Sequence, residues 1–148
     1  MPRAPFQILV FPYRTTVSAA FEYAVFKRSD AHYWQAIAGG GEQGESPLIA
    51  ARREANEEAA IPQSAPYLQL SSMNSVPVVA ISGFLWGEDV LVIPEYCFAV
   101  DASNCLLKLS QEHEEMRWTT YEDANSLLKW DSNRNALWEL NFRLTGRS

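Results

Sequence analysis

Cysteine and histidine are scarce in this sequence, with two of each among 148 residues. Cys97 and Cys105 form no C-x-x-C pair, and no Cys/His spacing matches a zinc site. A disulfide framework and a structural zinc are thereby excluded, and a reducing, cytoplasmic setting is expected. Positive charge is also short: 12 Lys and Arg stand against 18 Asp and Glu, for a net charge of -6 and a pI near 4.9. No overall basic field exists to draw the chain onto a nucleic acid polymer or an anionic membrane. Any phosphate ligand has to be met locally, by a metal ion or a few basic side chains. No apolar run approaches the roughly 18 residues a membrane span needs. The N-terminal stretch MPRAPFQILVFPYR also lacks the charged-then-apolar order of a secretory leader, so a soluble protein is expected. Repeats, low-complexity tracts and linkers are missing too, and at 47% hydrophobic residues the chain reads as one globular domain spanning 1–148.

Aromatic and aliphatic residues concentrate at 6–13 (FQILVFPY) and 19–28 (AAFEYAVFKR), which predicts two adjacent strands. A third, HYWQAIA (32–38), runs into a glycine-rich loop at Gly39, Gly40 and Gly41. The period then changes. Ser46 is a suitable N-cap and Pro47 suits a first helical position, and LIAARREANEEAA consists almost entirely of good helix formers. Ile61-Pro62 should stop this helix. Residues 63–75 read as irregular, VPVVAI, VLVI and EYCFAV as further strands, and 121–130 and 132–144 as helices, with Leu137, Leu140 and Leu144 on one face. The sum is α/β: a mixed sheet covered on both sides.

The stretch GGGEQGESPLIAARREANEEAAI (39–61) concentrates acid in one place. At about 100° per residue, Glu54 and Glu58 project about 40° apart and Glu57 about 60° to the other side of Glu54. Three carboxylates on one face repel unless a cation lies between them, and a hard dication on oxygen ligands, Mg²⁺ or Mn²⁺, suits that arrangement. The alternative is a solvated helix face with an i,i+4 pair between Arg53 and Glu57.

The spacing of Gly39, Glu45, Arg53, Glu54, Glu57, Glu58 and Ile61 resembles the box of the Nudix hydrolases, enzymes that cleave a diphosphate linked to another moiety. The resemblance implies an α/β/α sandwich with a loop-helix-loop catalytic motif. It also implies a metal held by Glu54 and Glu58, with Glu57 a further ligand, and Arg53 paired with Glu45 to fix the loop. Gly39, Gly40 and Gly41 would let backbone approach the phosphates. Two positions depart from the pattern. Ala55 replaces a larger apolar residue, and Ala60 replaces a glycine, at about 1 kcal/mol if the helix ends there in the left-handed conformation.

A second acidic group, SQEHEEMRW (110–118), sits where the family often adds a carboxylate. By resemblance Glu112 is preferred over Glu114 and Glu115 as metal ligand and general base, with Glu57 second for the latter role; all three could instead be exposed charges. His113 and His32 read as structural or surface residues. KRSDAHYWQAIAGG, QEHEEMRW and WDSNRNALWEL are together similar to the dihydroneopterin triphosphate branch of the family. That similarity implies substrate contacts from Lys27, Ser132 and Arg3. Trp34 and Gln35 sit where a planar ring could be flanked. Against these readings, Lys27 could be a surface lysine, Ser132 a helix N-cap, and Trp34 plain core. The expected reaction is Mg²⁺-dependent release of pyrophosphate from a small triphosphate, by a monomer or homodimer. The alternatives are a general or sanitising nucleoside triphosphate pyrophosphohydrolase and a non-catalytic binding module.

Overall fold

The computed structural model describes residues 2–18 and 20–147. Seven strands and three helices follow in the order β1 (Arg3–Thr15), β2 (Phe21–Arg28), β3 (Trp34–Gln35), β4 (Ile37–Glu42), α1 (Pro47–Ala59), β5 (Tyr67–Pro77), β6 (Val92–Asp101), β7 (His113–Thr119), α2 (Tyr121–Leu127) and α3 (Asp131–Thr145). Ala19, which opens the expected second strand, lies outside the described residues.

The sheet is mixed. β1 runs parallel to β6 and antiparallel to β2 and β4, β5 extends the sheet beyond β6, and β7 and β3 pair with β2. Alternation along β1 sends Ile8 and Val10 to one face and Leu9 and Phe11 to the other. The first pair packs under Ala50, Ala51, Ala55 and Ala59 of α1. The second packs under Ala136, Leu137 and Leu140 of α3 and Ala124 of α2. The result is an α/β/α sandwich. Alanine at position 55 belongs to this contact: it is fully buried, and α1 meets the sheet along a row of alanines.

Several local expectations are corrected. The three glycines lie inside β4 rather than in a loop, and the positive-φ glycine of this region is Gly44 (φ 89). What they supply is the absence of a side chain: a Cβ at Gly39 would overlap the Glu54 carboxylate, at Gly40 the Arg3 guanidinium, and at Gly41 the Phe6 ring. The expected strand at 32–38 is broken at Ala36, whose N–H donates to Asn133 Oδ1 (2.9 Å) instead of joining the ladder. The stretch read as irregular contains most of β5, which begins at Tyr67. VPVVAI is not a strand; Pro77 ends β5 and Val78–Ala80 form a 3-10 turn. VLVI and EYCFAV join into β6, which tolerates Pro94 because pairing with β1 starts only at Glu95 and the proline has a neighbour on one side alone. β7 was not anticipated, since HEEMRWT shows no hydrophobic alternation.

Candidate active site

α1 delivers the acidic face. Ser46 Oγ accepts from Ile49 N (3.3 Å), Pro47 takes the first turn, and the helix ends at Ala60 in the left-handed region (φ 58, ψ 30). There the Ala60 N–H reaches Asn56 O (3.0 Å) and the Asn56 amide donates to Ile61 O (3.1 Å), so the C-terminal turn is locked despite the alanine.

Arg53 is the hub. Its Nε donates to Glu45 Oε2 (2.7 Å) and its Nη2 to Glu45 Oε1 and Gly40 O (both 3.0 Å). Nη1 donates to Glu54 Oε1 (2.8 Å) and approaches Glu57 Oε2 (3.4 Å). Glu45 also accepts from Glu42 N (2.8 Å), and the Arg53 contact holds its carboxyl below the usual range. One guanidinium thus ties the loop, β4 and two helix carboxylates together. The i,i+4 contact of the solvated-face alternative exists, as one weak member of this set.

Glu58 is unlike its neighbours. It is 2% exposed, and among the described residues no donor pairs with either carboxylate oxygen. Burial, reinforced by Glu54 and then Glu112, pushes its carboxyl up to about 11. His113 Nε2 lies 3.6 Å from Glu58 Oε1, but burial and then Arg28 push that imidazole down to about 4. With His113 neutral, the contact is not an ion pair. His113 is therefore a neutral wall of the Glu58 pocket, stacked at a tilt on Phe26 (5.2 Å).

Of the second acidic group, Glu114 is engaged by His32 Nδ1 (2.8 Å) and Lys27 Nζ (3.6 Å), and Glu115 by Arg117 Nε (2.7 Å). Glu112 alone of the three lines the cleft beside Glu54, held at its backbone by Ser29 N (2.9 Å to Glu112 O). The cleft measures about 640 Å³ and is bordered also by Arg3, Arg28, Gly39, Gly40 and Arg53.

Lys27 does not line this cleft; Arg28 does. Successive residues of a strand point to opposite faces, so the neighbouring cation replaces the expected one, with its guanidinium held on Asp30 (2.8 Å through two nitrogens). Ser132 is not a helix cap, since Trp130 occupies that position without a side-chain bond; Ser132 lines a second cavity behind the cleft. Trp34 is core, under the Arg117 guanidinium, while Gln35 reaches that second cavity. Arg28, Tyr33, Asn74 and Glu95 were not singled out by sequence. Only Arg28 left a signal, as the second member of a Lys-Arg pair on a strand.

The donor set fits a divalent ion. A buried carboxylate with two unpaired oxygens, crowded by two further carboxylates, is what a hard cation on oxygen ligands relieves. Glu54 and Glu58 are its fixed part, whereas Glu57 is turned toward Arg53. Among the described residues no three candidate ligands are already drawn around one point.

The sequence matches the NUDIX domain over residues 8–139. The chain belongs to the Nudix family. Its structure is similar to that of a NUDIX hydrolase from Listeria monocytogenes, at 41% identity and a TM-score of 0.88, covering 97% of this chain and 96% of that one. It is also similar in fold to the E. coli dihydroneopterin triphosphate pyrophosphohydrolase (24% identity, TM-score 0.74, 95% and 99% covered) and to a C. elegans Ap4A hydrolase (20%, 0.74, 97% and 100%). As a Nudix hydrolase the chain acts on pyrophosphate-type bonds, chemistry that the family generally carries out with divalent metal ions. No helix among the described residues is long and apolar enough to cross a membrane.

Proposed function

We propose that this Nudix hydrolase is a Mg²⁺-dependent pyrophosphohydrolase that converts dihydroneopterin triphosphate to the monophosphate and pyrophosphate, in the cytoplasm. The observation that carries the reaction is Glu58, buried with both oxygens unpaired between Glu54 and Glu112. Glu54, Glu58 and Glu112, with Glu57 in support, would hold the ion. When bound, Mg²⁺ or Mn²⁺ supplies charge neutralisation for phosphate oxygens and acidification of water. Arg3 and Arg28 attract the anionic chain to the cleft. Arg53 keeps Glu54 oriented and the loop closed on the helix. Glu112, exposed at the cleft edge, is placed to accept the proton of an attacking water, with Glu57 as the second candidate.

The pterin substrate rests on the short stretches around Lys27, Glu112 and Ser132, together with a second cavity of about 350 Å³ opening off the cleft, a volume suited to a small planar ring. Hydrolysis of deoxynucleoside triphosphates is the second reading, because a purine base fits the same volume. A panel containing dihydroneopterin triphosphate, dATP and oxidised dGTP, with Mg²⁺ and separate detection of pyrophosphate and orthophosphate, decides. The pterin should show the highest kcat/KM with pyrophosphate as product; a higher value for either nucleotide overturns the substrate assignment.

A further inference from the structure

The second cavity contains a carboxylate that the hydrolytic machinery does not use. Glu95 on β6 is the register partner of Asn74 on β5 and of Gln7 on β1, so these three polar side chains lie in a row across the sheet. The row continues through Gly40 on β4, the partner of Gln7, where the Arg3 guanidinium lies over the glycine and donates to Gln7 Oε1 (3.1 Å). A polar track thus leads from Glu95 to the phosphate-binding cleft. The two cavities share Gln7, Arg28, Tyr33, Ala38 and Ala80, so one ligand can occupy both.

Glu95 is fixed and under-supplied. Asn74 Nδ2 donates to Oε1 at 3.0 Å, and among the described residues no donor reaches Oε2. Burial raises this carboxyl and the Asn74 amide alone opposes it. Gln35, 5% exposed, lines the same cavity with its Nε2 unpaired. Asn133 is committed elsewhere: its Oδ1 accepts from Ala36 N (2.9 Å) and its Nδ2 donates to Ser132 Oγ (3.2 Å). Tyr33 and Trp130 wall the cavity with an edge-to-face pair, centroids 5.4 Å apart, a surface suited to a flat ring.

We propose that Glu95, held by Asn74, is the specificity determinant of this site and reads a planar heterocycle that presents two adjacent N–H donors, the edge of the 2-amino-4-oxopyrimidine ring common to guanine and pterin. This rests on the pyrophosphohydrolase reading and specifies its substrate class. An ionised carboxylate offers acceptors only. The 2-amino-4-oxopyrimidine edge places a ring N–H beside an amino group and satisfies both oxygens. Adenine sets a ring-nitrogen lone pair beside its amino group, so one oxygen meets a second acceptor. An apolar ring leaves the buried carboxylate unpaired, which costs more than any packing gain of similar area.

The test is Glu95→Gln, which keeps the shape and exchanges one acceptor for a donor. With Mg²⁺, kcat/KM is measured for dihydroneopterin triphosphate, dGTP and dATP. The preference for the first two over dATP should fall by about tenfold or more, expressed mainly in KM. A preference that stays within twofold, or a parallel loss on all three, overturns the assignment. Which of the first two substrates is better separates a pterin from a guanine source. A metal-free arm keeps the test independent of turnover: neopterin, guanosine and adenosine, all without phosphate, are titrated against tryptophan fluorescence, with Trp130→Phe as control. Quenching by neopterin or guanosine that Glu95→Gln abolishes supports the assignment; equal titration by adenosine overturns it. Wild-type protein that discriminates in this arm yet releases no pyrophosphate from any triphosphate refutes the proposed function and leaves the role of Glu95 standing.

Discussion

At the scale of single residues, burial separates side chains that look alike in the sequence. Glu54, Glu57 and Glu58 share a helix face, yet Glu54 is neutralised by Arg53, Glu57 faces solvent, and Glu58 is enclosed with no donor paired to it among the described residues. Glu58→Gln keeps the volume and removes the charge. It should lower kcat on the order of a hundredfold or more, while metal-free melting at pH 8 should be no lower than in wild type because glutamine is buried neutral without having to take up a proton. Steady-state kinetics alongside thermal melts check both halves. The two cations at 27 and 28 part in the same way. Arg28→Ala should raise KM for a triphosphate about tenfold, and Lys27→Ala, which only releases Glu114, by less than twofold. Equal effects from the two variants would place the phosphate chain elsewhere.

At the scale of elements, α1 was legible from end to end because its signals are local: a serine cap, a proline in the first turn, and a proline two residues beyond the Ala60 cap. Ala60 proves to be left-handed (φ 58), the conformation that glycine adopts without cost. Ala60→Gly should therefore stabilise the protein by up to about 1 kcal/mol, raising Tm by about 2–4 °C; an unchanged or lowered Tm would show that the Asn56 and Ala55 carbonyl contacts already absorb the strain. Strands were less legible. β7 hides behind the charges of HEEMRWT because only His113 and Thr119 turn fully inward. β4 hides behind its glycines because the side chains filling its surface, Glu54, Arg3 and Phe6, come from distant parts of the chain. The second cavity was illegible for the same reason: Asn74, Glu95 and Ser132 meet only through sheet register and the docking of α3.

At the scale of the whole molecule, the buried Glu58 carboxyl makes stability depend on pH. The folded-state carboxyl of Glu58 stands well above its unfolded value of about 4.5, so the folded chain retains a proton that the unfolded chain releases. Its contribution is fully present below about pH 4.5 and is lost progressively as pH rises toward 11. Metal-free protein should therefore show Tm falling between pH 5 and pH 9, after allowance for other groups. Added Mg²⁺, which takes the place of the proton, should stabilise more at pH 9 than at pH 6. Glu58→Gln should flatten both trends; a wild-type slope identical to that of the variant would mean that Glu58 titrates normally. The sandwich architecture and the place of the motif within it were readable from local pattern plus spacing, whereas the choice among acidic residues depended on burial that only the packed sheet creates.

The central claim is that Glu54 and Glu58 hold a divalent cation. Anomalous diffraction from crystals soaked in Mn²⁺ tests it most directly. The account predicts a manganese peak bonded to oxygens of Glu58 and Glu54, with the Glu58 carboxylate no longer unpaired. A structure at full manganese exposure in which Glu58 remains enclosed and unbonded, with the ion absent or elsewhere, would contradict it.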